Sequence, residues 1–288
     1  MKHRRITRKR RSLAVAAMFG LVLGALSMAA SAGAAEASPH ETISQLNAGP
    51  SVLSSPGVIS KSSKKWAGYI ATGGKSPFTY VQAEFRVAAV NCRVTPHLSV
   101  ASQWVGLDGW NSGTVESHTV EQIGVDSDCG RPGNSTNAPH YFAWREMFPD
   151  PLQEIEPVNA GDTIVVSVYQ IPAGSPGDAL DYVLTLQDLT KSGVPKSYLE
   201  PCPIVCKDAS AEVISEGYNE GKSKGPADFG RESFSDIALG EYGDLIGNFA
   251  TTSWTNIDVV QKQKAVDAVP TPLSDGGTAF SVVWHSDK

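Results

Sequence analysis

The 288-residue sequence is short of basic residues, cysteine and helical periodicity. Lys and Arg total 24 against 30 Asp and Glu, for a net charge of −6. Five Arg and two Lys fall before Ser12, so the remainder is more acidic still. Such a chain repels phosphate backbones, and no nucleic-acid partner is expected. There is no H-E-x-x-H; His118 and Glu121 have the wrong spacing for a zinc hydrolase. Gly-rich phosphate loops are absent, and no metal or other cofactor is expected. G-x-S-x-G occurs in letters as GKSKG at 221–225. Polar EGYNE precedes it and Pro226 follows, which is the wrong setting for a nucleophile elbow. The six His sit in no triad-like context. Past the N-terminal segment no apolar run is long enough to span a bilayer.

The N-terminal segment, 1–35, has a basic start, an apolar stretch and a small-residue exit, the pattern of an export signal. Arg10 and Arg11 followed by Ser12-Leu13-Ala14 fit a twin-arginine signal, or a chance pair in a basic stretch, so the route stays open. The expected protein is secreted and extracellular. Residues 36–62, rich in Ser, Ala, Gly and Pro, read as a short pro-segment or flexible leader. Residues 63–288 remain as one domain. All four Cys lie in the exported part, and an even count in an oxidising compartment means two disulfides. Cys92–Cys129 with Cys202–Cys206 is the simplest pairing, though spacing does not fix connectivity. The first would be worth about 4 kcal/mol by constraining the unfolded chain. Asn134-Ser135-Thr136 has the form of a glycosylation sequon.

Period-two alternation dominates the domain. Runs such as TYVQAEFRVA, LSVASQWVGL, HTVEQIGVD, HYFAWREMF, DTIVVSVYQI, DYVLTLQDLT and AEVISE are separated by Gly, Pro, Asn, Asp and Ser clusters. Many short strands rich in Val, Ile and Thr mean an all-β sandwich or barrel. Strand parity then groups side chains. Trp104, Gly106 and Asp108 share a face, as do Gln122, Gly124 and Asp126. Phe142, Trp144, Glu146 and Phe148 share another, and so do Glu212, Ile214 and Glu216. Indoles, amides and acids without basic partners suit a substrate cleft better than a solvated face.

With nucleophilic and metal chemistry unsupported, water activated by a carboxylate remains. The pieces KKWAGY, QWVGLDG, EQIGVD, AWREMFPD, NAGDTI, SAEVISE and ADFG, in this order, resemble the glutamic peptidase family, the eqolisins. That resemblance covers nearly all of 66–230 and thins towards the C-terminus. It implies a single-domain antiparallel β-sandwich of lectin-like jelly-roll type, an acid endopeptidase of protein substrates, and no cofactor. It matches Gln122 to the dyad glutamine and Glu216 to the dyad glutamate. Trp66, Trp104, Asp108, Asp126, Trp144 and Glu146 fall on positions that line or support the cleft. In such a dyad Glu216 takes a proton from water and Gln122 stabilises the oxyanion. Glu212 shares parity with Glu216, and parity alone does not separate them. Val213, Arg145 and Met147 stand where relatives often carry aromatics, which bears on subsites rather than on the dyad.

Two rival functions share the fold. A non-catalytic lectin-like module would stack sugars on Trp104 and Trp144. A glycoside hydrolase would use two carboxylates such as Glu146 and Glu216. No obligate partner, membrane or otherwise, is implied, and a monomer is expected.

Overall fold

A computed structural model describes residues 58–286, except 111–116, 134, 172–179, 220–224, 243–244 and 264. The expected export signal, nearly all of the leader, Asn134 of the sequon and most of GKSKG lie outside the described residues.

Among the described residues the chain forms sixteen strands and one 3-10 turn at Asp275–Gly277. The first six are β1 (Ile59–Ser63), β2 (Trp66–Thr72), β3 (Phe78–Arg86), β4 (Ser99–Leu107), β5 (Val120–Cys129) and β6 (Pro139–Phe148). Next come β7 (Gln153–Pro157), β8 (Thr163–Ile171), β9 (Asp181–Asp188), β10 (Lys196–Pro201) and β11 (Ser210–Asn219). The last are β12 (Arg231–Glu241), β13 (Leu245–Gly247), β14 (Thr255–Lys262), β15 (Val266–Pro270) and β16 (Phe280–Trp284). They hydrogen-bond in the order β10-β9-β8-β3-β12-β16-β15-β14-β2-β11-β4-β5-β6-β7, with β13 beside β12. Every ladder is antiparallel except β1, which runs parallel to β14.

The curled sheet closes into two layers, the β-sandwich that the alternation implies. β9 shows why: Tyr182, Leu184 and Leu186 are buried on one face while their neighbours are partly exposed. That face, with Phe85 and Val166, packs against Val105, Ile123 and Val213 of the opposite layer. β4 is buried along both faces. Its second face carries Trp104 into a smaller apolar cluster with Ile70, Trp144 and Ile214. This outer cluster is the floor on which the site is built.

Cys92–Cys129 and Cys202–Cys206 are both bridged, as expected, and no described cysteine is free. The sandwich, however, begins before residue 63. Residues 59–62, placed in the leader by composition, belong to β1, where Ser60 also donates to Asp258 at 3.1 Å. No described helix is long and apolar enough to cross a membrane.

The interior holds an unusual number of acids. Glu121, Glu212 and Glu232 are fully buried. Burial pushes the Glu232 carboxyl up to about 8 and the Asp208 carboxyl to about 7. It drives Glu121 and Glu212 well above the usual range, with the charges of Asp108 and Asp208 adding to the rise at Glu121 and those of Asp108 and Glu121 at Glu212. A carboxyl with a raised folded pKa binds its proton more tightly in the folded state. Its stabilisation is complete below the unfolded value near 4 and is lost as pH climbs through the folded one. Each unit of difference is about 1.4 kcal/mol, or about 3–6 °C in a domain of this size. Thermal melts should therefore show a midpoint that falls by more than about 10 °C between pH 4 and pH 8.5. A midpoint that held or rose over that span would mean that these acids are ionised and paired.

Candidate active site

Five neighbouring strands, β2, β11, β4, β5 and β6, place the predicted residues in cross-strand rows. Directly opposed residues share a face. One row reads Trp66, Glu216, Ser102, Asp126, Phe142. The next reads Gly68, Ile214, Trp104, Gly124, Trp144, and the third Ile70, Glu212, Gly106, Gln122, Glu146. Val120 opposite Phe148 begins a fourth.

The middle row works because Gly124 has no side chain. A Cβ there would lie 2.5 Å from the Trp104 Cβ and 2.3 Å from the Gln103 carbonyl oxygen. Gly106 has the same task more mildly, since its Cβ would come within 3.0 Å of the Trp104 ring. Trp104 therefore lies down between the outer rows, fully buried, and Trp66 packs edge-on against it with ring centroids 5.1 Å apart.

A cavity of about 1060 Å³ opens over this floor. Trp66, Gln122, Asp126, Trp144, Glu146 and Glu216 all line it. Two of the eight residues named from sequence do not. Trp104 supports the floor from beneath. Asp108 touches neither Gln122 nor Glu216 in any formed hydrogen bond. Its carboxylate accepts the backbone N–H groups of Lys207, Asp208 and Ala209 at 2.6, 2.9 and 2.8 Å, and the Thr119 hydroxyl at 3.3 Å. It anchors the segment that leads into β11. Glu212 is fully buried and outside the cavity, so row position separates it from Glu216 where parity did not.

The Gln122 side-chain amide donates to Glu146 Oε2 at 2.5 Å. One amide hydrogen is thereby fixed, and the amide has a second to give. Glu216 Oε2 accepts the Trp66 indole N–H at 3.0 Å, and Lys65 Nζ lies 3.9 Å from its Oε1. Asp126 accepts the Ser102 hydroxyl.

Burial raises all three cleft acids, and their different neighbours separate them. Asp126 is pushed up to about 7 by burial and by the charges of Glu216 and Glu146, against the pull of Ser102 and Trp144. Glu146 is raised by burial, with Gln122 and Lys65 opposing. Glu216 is raised by burial and by Glu146, but Lys65 and the Trp66 indole both favour its charged form. Lys65 thus opposes the rise at both Glu146 and Glu216, and the Trp66 indole adds to it at Glu216.

Sequence reasoning passed over Lys65, Ser102 and Tyr218. Ser102 and Tyr218 have the parity of Trp104 and Glu216, a signal that was available. Lys65 sits half-exposed beside β2, with its ammonium 4.8 Å over the Tyr218 ring, and qualifies the expectation of a cleft without basic partners. One described group, Asp108, Glu121 and Asp208, has its ligand atoms within 4.8 Å of one another, close enough for a cation. Asp108 is already saturated by four donors, and Asp208 accepts the Tyr182 hydroxyl at 2.7 Å.

Acids and an amide thus line a cleft on one outer face of the β-sandwich. The sequence profile of the Peptidase A4 family matches residues 64–280. The chain belongs to this family, the eqolisins, and is a hydrolase of peptide bonds. Similar solved structures include a scytalido-glutamic peptidase bound to a peptide-based transition-state analogue. That chain is 21% identical, with a TM-score of 0.53 over 78% of this chain and 100% of its own. Another is SCP-B, an eqolisin in complex with the tripeptide Ala-Ile-His, at 21% identity and a TM-score of 0.52 over the same shares. None of the curated proteins compared with the chain matches it. Family membership sets aside the lectin-like and glycosidase alternatives.

Asp108 offers a test of the scaffold that is separate from catalysis. Asp108→Ala leaves three backbone N–H groups without their charged acceptor, a loss of about 3 kcal/mol or more. The expected result is a midpoint lowered by about 6–12 °C at pH 4. An unchanged midpoint would show that the 207–209 segment is held by other means.

Proposed function

We propose that the chain is a secreted endopeptidase that cleaves protein substrates in acid, with Gln122 and Glu216 as its catalytic dyad. The observation that carries this reading is that an amide and a carboxyl, distant in sequence, line one cavity, each oriented by its own partner. The reaction needs nothing else. Glu216 as carboxylate takes a proton from water as the hydroxyl adds to the scissile carbonyl carbon. The free amide hydrogen of Gln122 donates to the oxyanion that forms. Glu216 then passes its proton to the amide nitrogen, the C–N bond breaks, and an acid and an amine leave. Glu146 acts as a positioning residue for Gln122. The bridged cysteines fit export to an oxidising compartment.

Acid dependence follows from proton sharing among three close carboxyls. At low pH Asp126 stays protonated while Lys65 and Trp66 favour charge on Glu216. As pH rises towards 7, Asp126 ionises beside it, and negative charge accumulates where an oxyanion must form. The amide of Gln122 does not titrate, so it serves across this range.

Purified protein should digest casein in acid and lose activity as pH approaches 7. Glu216→Gln should reduce kcat at least about 10²-fold, and Gln122→Ala about 10²–10³-fold, with melting curves retained. Near-normal turnover in either variant would remove that residue from the dyad. Lys65→Met withdraws the cation that favours the Glu216 carboxylate. It should move the acidic limb of the kcat/KM profile to higher pH. An acidic limb that stays in place would mean that the limb belongs to another group.

A further inference from the structure

The two ends of the cleft differ in chemistry. Beyond Glu216 lie Ser63, Lys64, Lys65 and Tyr218. Beyond Gln122 and Glu146, around the Val120–Phe148 pair, the lining is mainly apolar, with Leu152, Trp110 and Ile204, while His118 and Thr119 bring polar groups to it. We propose that this second end is an apolar subsite that selects a bulky aliphatic or aromatic side chain immediately N-terminal to the scissile bond, with Ile204 as its specificity-determining wall. The proposal rests on the Gln122/Glu216 reading above.

The direction follows from the roles of the dyad. Gln122 holds the carbonyl oxygen and Glu216 delivers a proton to the departing nitrogen. The nitrogen and everything after it therefore run towards Glu216 and Lys65. The residue that supplies the carbonyl lies on the Gln122 side and meets the next row, where Val120 pairs with Phe148.

Ile204 belongs to this wall because the chain goes to some length to hold it there. It stands at the centre of CPIVC, closed by Cys202–Cys206, with the Cys206 N–H 2.9 Å from Cys202 Sγ. The three residues after the bridge include Lys207, Asp208 and Ala209, whose N–H groups are held by Asp108. The Cys202 N–H donates to the Leu180 carbonyl at 2.8 Å. A staple fixed at both ends thus presents an aliphatic side chain that is 57% exposed. Phe148, opposite Val120, is 46% exposed. Exposed apolar groups contribute little to folding, but a substrate side chain that covers them gains their full burial. Val205, next in the loop, is 60% exposed yet does not line the cleft, which makes it the natural control.

The test has two stages. Denatured casein is digested in acid by the purified protein, and cleavage sites are read by mass spectrometry. Leu, Ile, Phe and Met should be enriched immediately N-terminal to the bonds cut. Matched peptides with Leu or Ala at that position then give a ratio of kcat/KM. Ile204→Ser should lower the Leu-to-Ala ratio about tenfold, while Val205→Ser leaves it alone. Both positions are exposed, so melting midpoints should match the parent. Absence of peptide hydrolysis in the unsubstituted protein overturns the dyad reading and this proposal with it. Hydrolysis without that enrichment, or with enrichment only C-terminal to the bond, overturns this proposal and leaves the dyad standing. A ratio unmoved by Ile204→Ser, or moved equally by Val205→Ser, overturns it as well.

Discussion

The register that joins β11 to β4, β4 to β5 and β5 to β6 is the constraint from which the site follows. With a side-chain period of two, a slip of one residue between β4 and β5 would send Gln122 and Asp126 into the sandwich core and bring Ile123 and Val125 out. The main core prevents this, because Val105, Ile123, Val125 and Val213 all fill the interior opposite β3, β8 and β9. The catalytic face is thus specified by the apolar residues on its reverse. Within it, Gly124 fixes how closely β4 and β5 approach under the Trp104 ring, and so how the rows on either side are spaced.

The same packing decides the electrostatics. A carboxyl that loses water without gaining a cation keeps its proton. Glu121, Glu212 and Glu232 are in that position, fully buried, and Asp126 at the floor of the cleft. Glu216 differs because Lys65 lies to one side and the Trp66 indole donates from the other. Lys65 is largely exposed, so the pairing is weak by itself and screened by salt. Lys65 acts on Glu146 as well, whereas the Trp66 indole donates to Glu216 alone.

Most strands were legible because Val, Ile and Thr alternate cleanly in them, as in TIVVSVYQI and DYVLTLQD. Those that escaped have physical reasons. WAGYIAT of β2 is buried on both faces and shows no alternation. QEIEP of β7 and KSYLEP of β10 are the two ends of the sheet path and carry edge charges. ISKSS of β1 is stabilised by backbone pairing to β14, for which side chains give no sign. In the site, parity put Gln122, Asp126, Glu146 and Glu216 on one face. It did not say which row a residue occupies, and that is why Glu212 and Glu216 looked alike. Nor did it say that Trp104 would lie flat, which depends on a glycine one strand away. Asp108 was placed among residues that line or support the cleft; its actual partners are backbone groups a hundred residues later, which parity does not reveal.

On the proposed dyad, acid activity and acid stability share a cause. An enzyme that must leave one carboxylate charged among protonated neighbours needs those neighbours dry, and dryness raises their proton affinity. Once dry, they cost the fold little while protonated and a great deal when ionised. The interior acids extend this condition through the molecule: Glu121 and Glu212 feel Asp108, and Glu232 feels Asp126. Ionisation of any one makes the next harder, so each is protected by the others only while protons are plentiful. A variant with isosteric amides at Glu212 and Glu232 should then lose much of its pH sensitivity in stability. It should keep the activity profile, because neither residue lines the cleft. Should both properties shift together, the floor of the cleft and the interior acids would have to be a single titrating unit rather than two that share a physical origin.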